Sequence, residues 1–209
     1  MKPAVLLCQI RGVAPIAAHL LERADLDLIT LHEGGHAALA QHGIPHRRLD
    51  EFGDQTLLDR AVSQAEQRAV AVVPELYKAA FRAEYACYDD ETWAALRARL
   101  LERLSQDIAE EILLADLFCR CLADTDLRAL VVPEGFTRDM RTLVNLANRY
   151  GVPSIHLIHG YPYQTQNLHD VLETTRLAVF SEDCKQLYVG LGADPQRIVV
   201  TGNPLWDQF

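Results

Sequence analysis

The sequence has no apolar run long enough to cross a bilayer, and its N-terminus turns polar too early for a secretory signal. Glycine, with 11 residues, and proline, with 9, are too scarce for a fibrous or disordered chain. Basic residues are also few, since 20 Lys and Arg stand against 29 Asp and Glu, a formal charge of -9. A surface of that sign repels phosphate backbones, so we expect no nucleic acid partner. We predict a cytoplasmic protein and leave open peripheral contact with the inner membrane face.

The 5 cysteines are odd in number and irregularly spaced, which argues against a disulfide framework. Cys119 and Cys121 lie in a helical stretch, where positions two apart point about 200° away from each other. They are therefore poorly placed to share a metal ion. We predict free thiols, no metal and no cofactor.

Short apolar runs rich in Val, Ile and Leu recur along the chain, and helical segments lie between most of them. Several runs show little polar alternation, which is typical of strands covered on both faces. The pattern predicts an α/β fold, a doubly wound and mainly parallel sheet. The seven predicted strands lie near residues 4–8, 27–31, 46–49, 128–132, 154–158, 177–180 and 197–201.

Three glycines mark predicted helix ends. Gly43 and Gly151 are each followed two residues later by proline, and Gly192 is followed by proline three residues later. A glycine that ends a helix in the left-handed conformation, with proline just beyond, is a strong stop signal. Each stop precedes a predicted strand, so the three fix the phase of the βα alternation.

A helical insertion interrupts this alternation over about 54–123. We expect breaks near Val73-Pro74 and at Asp89-Asp90, where an aspartate can cap the next helix. An apolar stripe in that next helix runs from Trp93 to Ile112. It can pack on the sheet, or it can dock a partner such as a second copy of the chain. No linker composition appears, so we predict one domain over 1–209.

The most specific local motif is His32-Glu33-Gly34-Gly35-His36, an H-E-x-x-H string. In zinc peptidases this string places two imidazoles on one helical face, with the glutamate as general base. Two consecutive glycines weaken a helix by about 1 kcal/mol each. We therefore favour a turn over His32 to Gly35, and keep a zinc metallopeptidase that uses His32 and His36 as the alternative.

Polar residues that follow the later strands are the better candidates for chemistry. Glu134 follows the fourth strand, and His159 with Gly160 follows the fifth, at the edge of the sheet where α/β proteins bind ligands. His159 is the expected functional imidazole, and a strand-end histidine without a function is the simpler alternative. Further candidates follow the last two strands: Ser181, Gly202, Asn203 and Pro204.

The order of these segments resembles the N-terminal Rossmann-like half of GT-B enzymes. The resemblance covers about 128–207 and is carried by the helix 141–150, the strand and loop 151–160, and the segment 192–207. It is strongest to bacterial surface-polysaccharide glycosyltransferases, with CDP-glycerol glycerophosphotransferases and UDP-GlcNAc 2-epimerases as relatives. Residues 1–50 fit the first βα units of these enzymes only generically.

The resemblance implies the first half of a longer two-domain enzyme that builds a surface polysaccharide. A C-terminal half would bind most of the nucleotide-sugar donor, while this half would contact a saccharide or lipid-linked acceptor. His159 or Glu134 would act near the reacting hydroxyl, as general base or as positioning group. Arg11 and Gly12, in the turn after the first strand, would reach the same cleft. A non-catalytic sugar- or nucleotide-binding module, or an interaction domain, is the further alternative.

Overall fold

We describe a computed structural model, which covers residues 1–8, 12–76, 89–133, 137–158 and 173–203. These residues form one seven-stranded sheet in which every neighbouring pair of strands is parallel. The fold class is therefore the α/β class predicted from the alternating pattern. The strands are β1 (Pro3–Leu7), β2 (Asp27–Thr30), β3 (Arg47–Arg48), β4 (Asp126–Val132), β5 (Ser154–Leu157), β6 (Arg176–Val179) and β7 (Ile198–Val200).

Helices connect successive strands, as parallel neighbours require, except between β5 and β6, whose connection lies mostly outside the described residues. A short 3-10 turn over Leu49–Phe52 follows β3, and another over Pro195–Arg197 precedes β7. The described helices are α1 (Val13–Arg23), α2 (Glu33–Gln41), α3 (Gln55–Leu76), α4 (Asp90–Asp124), α5 (Arg138–Tyr150) and α6 (Glu182–Gly190).

The strand order is β3-β2-β1-β4-β5-β6-β7, so the chain winds outward from β1 in both directions. β1 pairs with β2 on one side and with β4 on the other. This reversal between β1 and β4 is the topological switch point of a doubly wound sheet. Both central strands are deeply buried, and Leu6 and Leu130 lie opposite each other with no exposed surface.

The three predicted helix stops are confirmed. Gly43, Gly151 and Gly192 have φ angles of 65°, 71° and 100°, in the left-handed region that favours glycine. At Gly151 the amide donates to the carbonyl of Asn148, and the next amide, of Val152, donates to that of Ala147. These bonds satisfy carbonyls at the end of α5, which turns the chain directly into β5.

The described residues between β3 and β4 are almost entirely helical. Gly53–Asp116 forms a compact unit of its own, while Met1–Phe52 and Leu117–Phe209 form the other. Within the Gly53–Asp116 unit, small apolar residues line the buried face of α3 at four-residue intervals, the spacing of one helical face. They are Leu57, Ala61, Ala65, Ala69 and Val73.

Of the two predicted breaks in this helical region, one is confirmed and one is wrong. Asp89 precedes α4, and its Oδ1 accepts from the Thr92 amide at 2.7 Å. Hydrogen bonds from the Thr92 side chain and amide lower the pKa of Asp89. Pro74, by contrast, lies inside α3, which continues to Leu76. Proline has no amide hydrogen, so Pro74 costs α3 one intrahelical hydrogen bond, and the helix nevertheless continues past it with Val73 fully buried.

No helix among the described residues is both long enough and apolar enough to span a membrane.

Candidate functional site at the carboxyl edge of the sheet

The parallel sheet brings the carboxyl ends of all its described strands to one edge, here called the carboxyl edge. At the switch point the chain runs from β1 to β2 on one side and from β4 to β5 on the other, and open α/β sheets bind ligands at this position. Cys8 and Gly12 flank the segment after β1, while Pro133 and Thr137 flank the segment after β4. The N-termini of α1, α2 and α5 all begin at this edge.

These three helices begin without a side-chain cap among the described residues. The N-cap residues are Gly12 for α1, His32 for α2 and Thr137 for α5, and none of them accepts a capping hydrogen bond through its side chain. The first amides of a helix have no intrahelical acceptor and carry a partial positive charge. The switch point is therefore flanked by helix starts suited to bind an anionic or hydroxyl-bearing ligand.

An imidazole and a carboxylate meet across β1 at this edge. His32 follows β2 and Asp139 lies in the first turn of α5, on opposite sides of the central strand. His32 Nε2 is 3.8 Å from Asp139 Oδ2, and the two side chains are 31% and 38% exposed. The pair is close enough for an ion pair when the imidazole is protonated, and solvent or a ligand can reach it.

Cys8 directly follows β1 at the carboxyl edge of the sheet. Its side chain is fully buried, and its amide donates to the Val131 carbonyl at 2.8 Å, which extends the β1–β4 pairing to the carboxyl edge. Burial, with a smaller contribution from the Asp139 carboxylate, raises the pKa of the Cys8 thiol far above its ordinary value. Cys8 is thus a neutral packing residue and not a nucleophile.

Of the residues proposed from sequence, Arg11, Glu134, His159, Gly160 and Pro204 lie outside the described residues. Gly12 is at the switch point, half-buried, with a left-handed φ of 69° that favours glycine where α1 starts so close to β1.

Ser181, Gly202 and Asn203 lie along the same edge but away from the switch point. Ser181 follows β6, and Gly202 and Asn203 follow β7, which is four strands from β1. At about 4.8 Å per strand, β7 is about 19 Å from β1. One small ligand at the switch point does not span that distance, so these residues suit a different part of an extended substrate.

Ser181 has a structural role that can be tested separately. It is the N-cap of α6, and its Oγ accepts from the Cys184 amide at 3.3 Å. We expect Ser181→Ala to lower the free energy of unfolding by about 1 kcal/mol, because an orphan amide loses its acceptor. Urea denaturation followed by circular dichroism measures the change, and Ser181→Asp, which restores an acceptor, is the matched control. A neutral result in Ser181→Ala would show that the cap contributes nothing.

The two histidines of the H-E-x-x-H string contact different partners. α2 begins at Glu33, so His32 precedes the helix in an extended conformation, and both glycines of the string lie inside the first turn. The predicted turn over His32 to Gly35 is therefore too long. His32 faces Asp139, whereas His36 Nδ1 is 2.7 Å from His46 Nε2. Among the described residues, no group of three or more His, Cys, Asp or Glu side chains is placed to hold a metal ion.

Sequence reasoning missed Asp139 as a functional candidate. Its position did carry a signal, because it is the one acidic residue in the first turn of a helix that follows a central strand. Its partner His32 stands more than a hundred residues earlier, so the pairing appears only once β2 and β4 are known to flank β1.

The parallel sheet and its strand order, which reverses between β1 and β4, define this chain as a Rossmann-like α/β domain. No protein-family model and no curated protein sequence matches it. Among solved structures it is similar to the UDP-GlcNAc 2-epimerase from Methanocaldococcus jannaschii, with a TM-score of 0.52 and 15% sequence identity. The match covers 97% of this chain and 46% of the epimerase chain, so the chain spans about half the length of that relative. At this identity the likeness shows a shared fold.

Proposed function

We propose that this chain is the N-terminal, acceptor-side half of a GT-B glycosyltransferase that transfers a sugar from a nucleotide-sugar donor in surface-polysaccharide biosynthesis. The observation that carries the proposal is the switch point between β1 and β4, flanked by three helix N-termini without side-chain caps and by the His32–Asp139 pair. The fold shared with a UDP-GlcNAc 2-epimerase, an enzyme named for a nucleotide sugar, supports the same class of substrate.

The helix starts favour an acceptor that combines hydroxyls with a negatively charged group. The start of α1, which has no acidic residue in its first turn, suits a phosphate, such as the phosphate of a lipid-linked saccharide. Asp139 and His32 suit sugar hydroxyls, because a carboxylate and an imidazole accept hydrogen bonds from O–H groups.

Transfer requires the removal of a proton from the attacking acceptor hydroxyl. His159 and Glu134 are the proposed bases from the sequence, and an imidazole is suited to accept a proton near neutral pH. We assign His32 and Asp139 to hold the acceptor beside that base, since both side chains are partly exposed at the carboxyl edge of the sheet. Gly12, with Arg11 in the same turn, would complete the acceptor contacts.

Binding to the purified chain tests the proposal without needing the donor half. We expect a water-soluble, short-chain analogue of a lipid-linked saccharide to bind in a calorimetric titration. His32→Ala and Asp139→Ala should each weaken binding about tenfold or more, the size expected when a hydrogen bond to a charged group is lost. His42→Ala is the matched control, because His42 is exposed at the far end of α2.

The pattern of binding decides the outcome. Acceptor binding that is weakened in both variants and unchanged in the control supports the proposal. Tight binding of UDP-GlcNAc without acceptor binding would make this the nucleotide-binding half instead. No binding of either probe would overturn the proposal and favour an interaction domain.

A second candidate is a nucleotide-sugar epimerase, which the shared fold with the 2-epimerase favours. The two candidates differ in what the complete enzyme needs. An epimerase converts UDP-GlcNAc alone, and proton NMR of the sugar would show inversion at one carbon. A transferase releases UDP only when an acceptor is present.

A further inference from the structure

Two imidazoles face each other beside the edge strand β3, apart from the His32–Asp139 pair. His36 lies on α2, and His46 immediately precedes β3. His36 Nδ1 and His46 Nε2 are 2.7 Å apart, with ring centroids at 4.8 Å and ring planes at 64°. Both residues are half-buried, so their directions are set by packing and yet small ions can reach them.

The hydrogen bonding of His46 fixes which of its nitrogens holds the proton. His46 Nδ1 is 2.7 Å from the Ile44 carbonyl oxygen. A carbonyl oxygen only accepts, so Nδ1 carries hydrogen and donates. In the neutral ring, Nε2 then has its lone pair directed at His36. Histidines that bind metals are held in this way, with the other ring N–H donated to a backbone carbonyl or carboxylate.

We propose that His36 Nδ1 and His46 Nε2 bind one divalent zinc ion, with water in the remaining coordination positions. Imidazole nitrogens suit zinc, at about 2.0–2.1 Å from the metal. In a tetrahedral site those bonds place two nitrogens about 3.3 Å apart, so the rings need to separate by about 0.6 Å. Small rotations of two half-buried side chains provide that change.

The neighbouring charges do not oppose a cation. The guanidinium of Arg48 forms two ion pairs: its Nη1 lies 2.8 Å from Glu33 Oε2, and its Nη2 lies 2.5 Å from Asp50 Oδ2. Arg47 lies 4.0 Å from Glu51, and its guanidinium stacks over the Phe52 ring. These two arginines are thus matched by three carboxylates, and the surroundings of the histidine pair are close to neutral or slightly negative.

A metal at this position would join α2 to β3, the shortest described strand of the sheet. β3 consists of two residues, which pair with Ile29 and Thr30 of β2. The ion would close the turn that contains Gly43 and hold His46 at the start of β3. The site differs from the zinc-peptidase motif, because it uses His36 and His46 while His32 contacts Asp139.

Zinc chloride titrated into the metal-free chain tests the proposal by calorimetry. We expect one equivalent to bind, magnesium chloride to give no binding, and His36→Gln or His46→Gln to weaken zinc binding at least tenfold. His42→Gln, an exposed histidine in the same connection, is the matched control and should stay within about twofold. At free zinc ten times above Kd, the melting temperature should rise by about 3–5 °C.

A second readout avoids dependence on the variants. In the unsubstituted chain, nitrogen NMR of the imidazoles should show zinc shifting the His36 Nδ1 and His46 Nε2 resonances together. No zinc binding would overturn the proposal and leave a simple hydrogen-bonded pair. Binding lost in His32→Gln but kept in His46→Gln would also overturn it, because the metal would then occupy the H-E-x-x-H string.

Discussion

Replacing Leu130 by alanine is expected to lower the free energy of unfolding by about 3–5 kcal/mol. Leu130 has no exposed surface and lies on β4, where it is opposite Leu6 of β1 and Ser154 of β5. Removing its side chain leaves a cavity on one face of the sheet, and the backbone pairing of β4 on both sides limits collapse into it. Urea denaturation followed by circular dichroism gives the change directly.

Leu58→Ala is the matched control for this cavity. Leu58 is 41% exposed on α3, so the same change in chemistry removes little buried surface there. We expect a change within about 0.5 kcal/mol. Equal losses at the two positions would contradict the placement of Leu130 in the centre of the sheet.

Cys8 is expected to react with iodoacetamide at least about a thousandfold more slowly than Cys119 in the folded chain at pH 8. The Cys8 thiol is fully buried and its raised pKa keeps it protonated, so alkylation needs the sheet to open. Cys119 is partly exposed and its Sγ donates to the Tyr150 hydroxyl at 3.6 Å. Timed alkylation, followed by tryptic digestion and peptide mass spectrometry, measures both rates. Cleavage after Arg120 separates Cys119 from Cys121, and Cys8 lies on a third peptide.

Denaturant provides the control, since in concentrated urea the two cysteines should react at similar rates.

The burial of Cys8 also predicts that the stability of the folded chain falls at alkaline pH. Because the folded pKa of Cys8 lies above the unfolded one, its contribution to stability is present below the ordinary thiol pKa and is lost as the pH rises above it. Rapid labelling of Cys8 without denaturant would contradict its position beneath the switch point.

The strands and their direction could be predicted from sequence because the signals are local. All seven apolar runs form strands, and Gly43, Gly151 and Gly192 end elements where the pattern placed them. The extent of β3 could not be read in the same way. It is two residues long because Leu49 turns inward and starts a 3-10 helix.

The strand order, and with it the site, depends on contacts between distant residues. Nothing local in the β1 segment indicates that β4 will be its neighbour, or that His32 and Asp139 will face each other across it. His32 suggested a metal site because of its neighbours in the H-E-x-x-H string, whereas its observed partner, Asp139, belongs to another βα unit. The predicted bases His159 and Glu134 stay predictions, as does the two-domain enzyme.

The position of β4 beside β1 also affects how the chain folds during synthesis. β1 pairs Pro3 with Asp126, so one edge of the first strand has no partner until the ribosome has made the chain as far as β4. The Gly53–Asp116 helices, whose contacts are local, can form before then. The nascent chain therefore exposes an unpaired apolar strand edge, a state that is prone to aggregation and is protected by chaperones in cells.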